Sequence, residues 1–491
     1  MFMILKKKRY YTQSNLEMTK QQIQFQRVQQ SYNRLCYSVF FFFAISCNDL
    51  GKESPHTDRP YQTTFKVEDF SSATECQDCH PNHYEEWSAS MHAYSVTDPV
   101  WFKLQQNEQV THEDQGIILG DFCIQCHSPI AALTNAITDH KNLTPEVISA
   151  LPPQIQEGVT CDVCHTLTHL PESTDIQTAE QNFETADFKF YMDGTRYSII
   201  DNPQKNSFHE SEYHEGYDQS NFCRNCHNLT VNGVDAEVTN SEWEGSAFDA
   251  MGSECQTCHM PLYEGYAAEG GPLRENLHSH YFPGVGTSIN GESDDGLESA
   301  IAELLEESAE VNFFEPIADT VLSNEPLTIQ IIISNNAGHN FPSGVTFTRQ
   351  LWLELTASID GDTIFQSGHL NENGDINDFY TDPEKLLDPQ INVFNTVLYN
   401  EAGDSGIMNV SVEDMVWMND YTLPVSGSRT VNYFIDLPTV VPESGSILDI
   451  SVRLRFRSFP PFLLRHINLN EEVERLLIWD IDQISTSTFL E

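Results

Sequence analysis

The chain has 491 residues, 39% of them hydrophobic, and its 73 acidic against 25 basic side chains leave a formal charge of −48. A chain of this length can bury a sizeable core, divided over about two or three domains. The charge excludes any broad association with nucleic acid or anionic lipid headgroups and favours basic partners or bound cations.

Near the N-terminus, Leu35 to Ser46 (LCYSVFFFFAIS) is an apolar run of twelve residues. It is too short to span a bilayer as a helix. Lys20, Arg27 and Arg34 precede it, and no acid lies between Met18 and the run. This fits the apolar segment of a signal peptide. The run ends Ala44-Ile45-Ser46-Cys47, which resembles a lipobox. Residues 1–46 are therefore predicted to be a lipoprotein-type signal peptide, with Cys47 the lipidated first mature residue. Residues 47–70 are polar, broken by Pro55 and Pro60, and read as a tether.

From residue 71 to 290 one motif dominates. Cys-x-x-Cys-His occurs five times, at Cys76-Cys79-His80, Cys123-Cys126-His127, Cys161-Cys164-His165, Cys223-Cys226-His227 and Cys255-Cys258-His259. This is the attachment pattern of c-type haem: two thiols add to the two vinyl groups and the adjacent histidine binds iron. Zinc would pair one Cys-x-x-Cys with another, or with spaced histidines, and has no use for a histidine directly after each second cysteine. A disulfide scaffold is typical of much shorter chains. The cofactor expectation is five covalently attached haem c. Motif starts lie 47, 38, 62 and 32 residues apart, too irregular for a repeat. Helical periodicity is short and local and few strong strands appear, which predicts a mainly helical, loop-rich pentahaem domain.

In the linker 291–315, Leu297, Ile301, Leu304 and Leu305 sit at helical spacing among acids and predict one amphipathic helix over about residues 293–309. The remainder, 316–491, reads as strands at 327–333, 351–355, 430–435 and 447–456, the last of them alternating between apolar and polar residues. Short strands separated by turn residues predict a β-sandwich-like domain. The fold class expected is thus multidomain α + β.

Glu75 to Val96 (ECQDCHPNHYEEWSASMHAYSV) resembles the opening of the multihaem cytochromes related to hydroxylamine oxidoreductase and the nitrifier tetrahaem cytochrome c. There a haem motif is followed by a Trp and then Ser-x-His, matched here by Trp87, Ser90 and His92. Gly158 to His165 (GVTCDVCH) and Cys255 to Pro261 (CQTCHMP) resemble further motifs of that group, over roughly residues 71–290. Asn335 to Gly344 (NNAGHNFPSG) resembles an element that follows the haem region in many surface multihaem cytochromes. The resemblance implies distal ligands at His92 and at His280, in Ser279 to Gly284 (SHYFPG), with His278 as local rival. His209 and His214 precede the fourth motif and are further candidates. His339 lies between Gly338, which permits close approach, and Pro342, which stiffens the turn; this suits a histidine presented to a haem from the β-rich region.

All five motifs end in His, whereas pentahaem nitrite reductases carry one motif ending in Lys; this lowers the expectation of a reductase. The leading expectation is an exported, lipid-anchored electron carrier on the periplasmic face of the outer membrane or the cell surface. Its partners would be redox proteins, a membrane quinol-oxidising complex among the candidates, or further subunits in a homo- or hetero-oligomer. The alternatives are a reductase or oxidase of a small nitrogen or sulfur compound at one five-coordinate haem, and a structural subunit of an extracellular cytochrome assembly.

Overall fold

The structure is a computed structural model and describes residues 63–114, 119–168, 189–231, 233–284, 286–291, 294–323, 325–378, 388–412, 414–438 and 445–491. These fall within one compact unit, Tyr61–Glu491. The apolar run Leu35–Ser46, Cys47 and most of the tether lie outside the described residues. Among the described residues no helix is long and apolar enough to cross a membrane.

The region holding the Cys-x-x-Cys-His motifs is built from short helices, each started by a local signal. Ser72 opens a capping box: its hydroxyl accepts from Thr74 N and Glu75 returns a bond to Ser72 N, starting the turn that carries Cys76. Pro81 begins α1 (Pro81–Ala89), where its missing N–H costs nothing. Ser90 ends α1 and caps α2 (Met91–Tyr94) by accepting from Ala93 N at 3.5 Å. Two further helices matter for the sites, α3 (Pro99–Asp114) and α4 (Cys161–Thr166). A small core of Phe70, Ile124, Ile130, Leu143, Ile155 and Phe190 lies beneath them.

This region also holds three two-stranded ladders, more strand than the sequence predicts: Thr195–Ser198 with Glu210–Tyr213, Leu229–Val231 with Val234–Glu237, and β1 (Leu262–Tyr266) with β2 (Leu273–His278). The strands are three to six residues long, too short for alternation to stand out in the sequence.

The predicted amphipathic helix is α5 (Asp295–Ser308), capped by Asp294 Oδ1 accepting from Leu297 N at 2.8 Å. The chain then enters two sheets. In the first, β4 (Leu327–Asn335) lies between β3 (Ala309–Phe313) and β7 (Ser428–Ile435), all antiparallel. In the second, β6 (Asp362–Ser367), β5 (Gln350–Ile359), β8 (Ser446–Arg457) and β9 (Trp479–Leu490) pair in that order, with Thr320–Val321 at one edge and Val393–Phe394 also paired to β5. Alternation on β4 sends Ile329, Ile331 and Ile333 inward, where they meet Leu353 and Leu355 of β5, Ile450 and Val452 of β8, and Leu297, Ile301 and Leu305 of α5. Each such side chain, fully buried, stabilises the fold by about 1.5–3 kcal/mol relative to exposure. Ala89 and Tyr281 of the motif region pack against this same core.

Candidate haem sites

Every proximal histidine turns Nδ1 away from where iron would bind. His80 Nδ1 meets Ala267 O at 2.5 Å, His127 meets Ser95 O at 3.0 Å, His165 meets Tyr197 O at 2.7 Å and His259 meets Pro283 O at 2.6 Å. His227 Nδ1 instead faces a carboxylate, Glu237 Oε1, at 3.7 Å. A hydrogen bond at Nδ1 fixes the tautomer and leaves the Nε2 lone pair for a metal. Among the described residues no group of three or more His, Cys, Asp or Glu side chains is gathered as a metal cluster, the arrangement that zinc would need.

Four proximal rings each face a second histidine at nearly one spacing. The ring centres are 6.3 Å apart for His80 and His209, 6.3 Å for His227 and His92, 6.3 Å for His165 and His280, and 6.2 Å for His259 and His339. Two imidazoles on opposite sides of one iron, each with a metal–nitrogen bond of about 2 Å, place their centres about 6 Å apart. The residues present therefore fit haem c with two axial histidines at four of the motifs. The second motif differs. His127 stacks on Trp101 of α3, centres 4.7 Å apart and planes 19° apart, and among the described residues no second histidine stands at ligand spacing from it.

Local chemistry explains how these rings arrive. Trp87 Nε1 donates to Val159 O at 2.8 Å, tying α1 to the chain that enters α4. Val159 N donates to His92 O at 3.0 Å. Gly158 sits at φ +64°, where a Cβ would collide with Ser95 Oγ and His92 O, so only glycine allows this approach. His280 N donates to Glu86 Oε2 at 2.6 Å and its Nδ1 meets His278 O at 2.9 Å. Phe282, itself at φ +48°, places its ring edge-on to His92 at 4.5 Å. His339 Nδ1 meets Asn340 O at 2.7 Å, and His209 Nδ1 meets Glu210 O at 2.9 Å.

One of the histidine expectations changes. His214 lies between Tyr197 and Tyr217, and its Nδ1 accepts from Gly216 N at 3.1 Å. A neutral imidazole that accepts at Nδ1 carries its proton on Nε2 and has no lone pair there for iron. His278, the rival of His280, uses Nδ1 on Met260 O and turns Nε2 to Asp218 at 3.6 Å. His83 is 6.3 Å from His80, but its Nε2 faces Tyr263 Oη at 3.5 Å.

Burial keeps most of these rings neutral, the form that binds metal. It pushes His92 down to about 3, His127 and His259 to about 4, and lowers His165, His280 and His339 as well. Burial pulls His227 the same way, but the Glu237 carboxylate overrides it and leaves that ring raised. Asp162, inside the third motif and 1% exposed, is held by both Arg196 Nε at 2.7 Å and Nη2 at 2.8 Å and accepts from Ser71 N. Thiols of different motifs also come within hydrogen-bonding reach: Cys76 with Cys161, Cys126 with Cys226, and Cys223 with Cys255. The fourth motif thus adjoins both the second and the fifth, while the first adjoins the third. Sequence reasoning missed Trp101 and Glu237, which belong to no motif and reach their histidines only through the fold.

Motif chemistry and ring geometry define the class: the chain is a multihaem c-type cytochrome that binds haem c covalently. Residues 75–166 match the family described as cytochrome c554 and c-prime, a match that spans less than half of the chain. The fold is similar to that of a penta-heme cytochrome c552 from Thermochromatium tepidum, with 20% identity, a TM-score of 0.56, and coverage of 85% of this chain and 99% of that one. The sporulation control protein Spo0M from Bacillus subtilis also aligns, at 7% identity over 38% of this chain and 49% of that one, but its TM-score of 0.15 carries no argument. No curated protein matches the chain.

Proposed function

We propose that this protein carries electrons as an exported pentahaem cytochrome, between a membrane-bound donor and a periplasmic or cell-surface acceptor. The observation that carries this reading is the set of four facing imidazole pairs at 6.2–6.3 Å. Haem c, when bound, supplies one-electron chemistry at its iron. The side chains here do the rest. The facing imidazoles would hold the iron from both sides and leave no room for substrate there, and the bonds that most of these rings make at Nδ1 to backbone carbonyls keep them in place. The count of five follows from the five motifs. The division into a haem region over 71–290 and a β-sandwich-like region over 316–491 is supported by the run of helices and then sheets. The group that includes hydroxylamine oxidoreductase remains the resemblance the motifs suggest.

His127 favours a second reading, in which one site keeps an open position and acts on a small nitrogen or sulfur compound, since its ring is stacked on Trp101 and, among the described residues, is not opposed by an imidazole. EPR of the oxidised holoprotein tests both. On the first reading all five signals are low-spin; on the second, four are low-spin and one is high-spin, and carbon monoxide added to the reduced protein perturbs one haem. Five low-spin signals with no response to carbon monoxide would remove the second reading, and two or more responsive haems would remove the first.

Export agrees with haem c, which is attached outside the cytoplasm, and we infer anchoring through Cys47. Cys47→Ser is expected to move the protein from the membrane fraction to the soluble one; unchanged retention would overturn the anchor. The formal charge of −48 on the whole chain suits basic redox partners.

A further inference from the structure

Glu237 breaks a pattern. Four proximal imidazoles direct Nδ1 to a backbone carbonyl, whereas His227 alone faces a carboxylate, at 3.7 Å. That carboxylate is built into the fold. Glu237 is 9% exposed, Thr239 Oγ1 donates to its Oε1 at 2.6 Å, and its Oε2 is buried without a hydrogen-bond partner. Gly344, at φ +77°, brings the β-rich region so near that a Cβ there would lie 3.7 Å from Oε1. We propose that Glu237 is a tuning residue that lowers the reduction potential of the iron held by His227 relative to the irons of the other sites.

A carbonyl offers the imidazole N–H only a dipole. A carboxylate offers a full negative charge and draws the ring towards imidazolate, which makes Nε2 a stronger donor and favours the oxidised metal. Glu237 itself is largely buried, which weakens the screening of its charge. The location gives the effect a consequence. The Cys223–His227 motif adjoins the motifs of Cys126 and Cys255. A lowered potential at this junction makes it the site least inclined to retain an electron, so reducing equivalents collect on its neighbours. The proposal rests on reading His227 and His92 as ligands of one iron.

The test is a redox titration of the full-length holoprotein followed by EPR, comparing wild type with Glu237→Gln. Glutamine keeps the shape and still accepts from Thr239. One low-spin signal is expected to shift at least tenfold towards reduction, about 59 mV for one electron, with smaller shifts elsewhere. His92→Met should alter that same signal and so assign it. Glu237→Asp keeps the charge and withdraws it by one methylene, so it is expected to retain most of the wild-type potential. The proposal is overturned if no signal moves tenfold in the glutamine variant, if all signals move equally, or if the aspartate variant titrates like the glutamine variant. Should the glutamine variant fail to load haem, Thr239→Val, which removes the donor that satisfies Oε1 and leaves its charge to the imidazole, should shift the same signal in the opposite direction, and an unmoved signal would overturn the proposal. If His92→Met leaves that signal untouched, the ligand assignment falls and the tuning role falls with it.

Discussion

Asp98 shows how a single residue couples the helical region to the sheets. It precedes α3, accepts from Val100 N at 2.9 Å, and lies near Arg349, whose guanidinium donates to Ser458 O and stacks over Phe459. Burial raises the Asp98 carboxyl to about 6, against the helix-start N–H groups and the Arg349 charge that pull it down. The sign follows from linkage: a carboxyl raised in the folded state contributes stability that is present below its unfolded value near 3.8 and is lost as pH rises through about 6. Asp98→Asn mimics the protonated form and keeps the bond to Val100 N. The stability of the variant relative to wild type is therefore expected to rise between pH 4 and pH 7 and then level off. Thermal unfolding of both proteins across this range measures it, and a difference independent of pH would show that Asp98 is ionised throughout.

At the scale of elements, what the sequence reveals depends on how local the cause is. Helix α5 and strands β4, β7 and β8 were legible because one face of each is the more buried along its length and the apolar period follows it, and β5 because both its faces are buried and it reads as a short apolar run. The ten motif cysteines and five proximal histidines were legible because covalent chemistry dictates their spacing. His92 and His280 were expected from a resemblance alone, and the residues quoted with them do structural work here: Ser90 caps α2, Trp87 bonds Val159, and Pro283 O takes His259 Nδ1. His209 and His214 were both expected, and what separates them could not be read. Each ring meets the backbone at Nδ1, but His209 faces a carbonyl whereas His214 accepts from an amide, and that is set by folded geometry. Trp101 and Glu237 were illegible for the same reason. Trp101 sits 26 positions before His127 on a helix whose sequence gives no sign that it packs against a haem motif, and Glu237 reaches His227 by way of a two-stranded ladder.

For the molecule as a whole, the segment from Asn335 to Gly344 decides whether the β-rich region is an appendage. Asn340 Nδ2 donates to Glu242 Oε1 at 2.9 Å, Ser343 Oγ donates to Glu242 Oε2 at 2.5 Å, and Ser343 also bonds Thr239 at 2.7 Å. A Cβ on Gly338 would lie 3.5 Å from Phe248, so this segment lies close against the haem region. His339 meanwhile stands 6.2 Å from His259. Ala89 and Tyr281 complete the core between the sheets from the other direction. Neither region buries its own surface alone, and the facing pair His259 and His339 draws one ring from each. The holoprotein is therefore expected to unfold in one calorimetric transition. A chain ended at residue 315 should lose stability and show one more high-spin EPR signal than the intact protein. His339→Ala separates the two causes: it removes the imidazole but leaves the contacts of Asn340 and Ser343, so it should gain the same high-spin signal while retaining the single transition. Two well-separated transitions in the intact protein, or an unchanged low-spin count after either alteration, would show instead that the sheets are a detachable module and that His339 is no ligand.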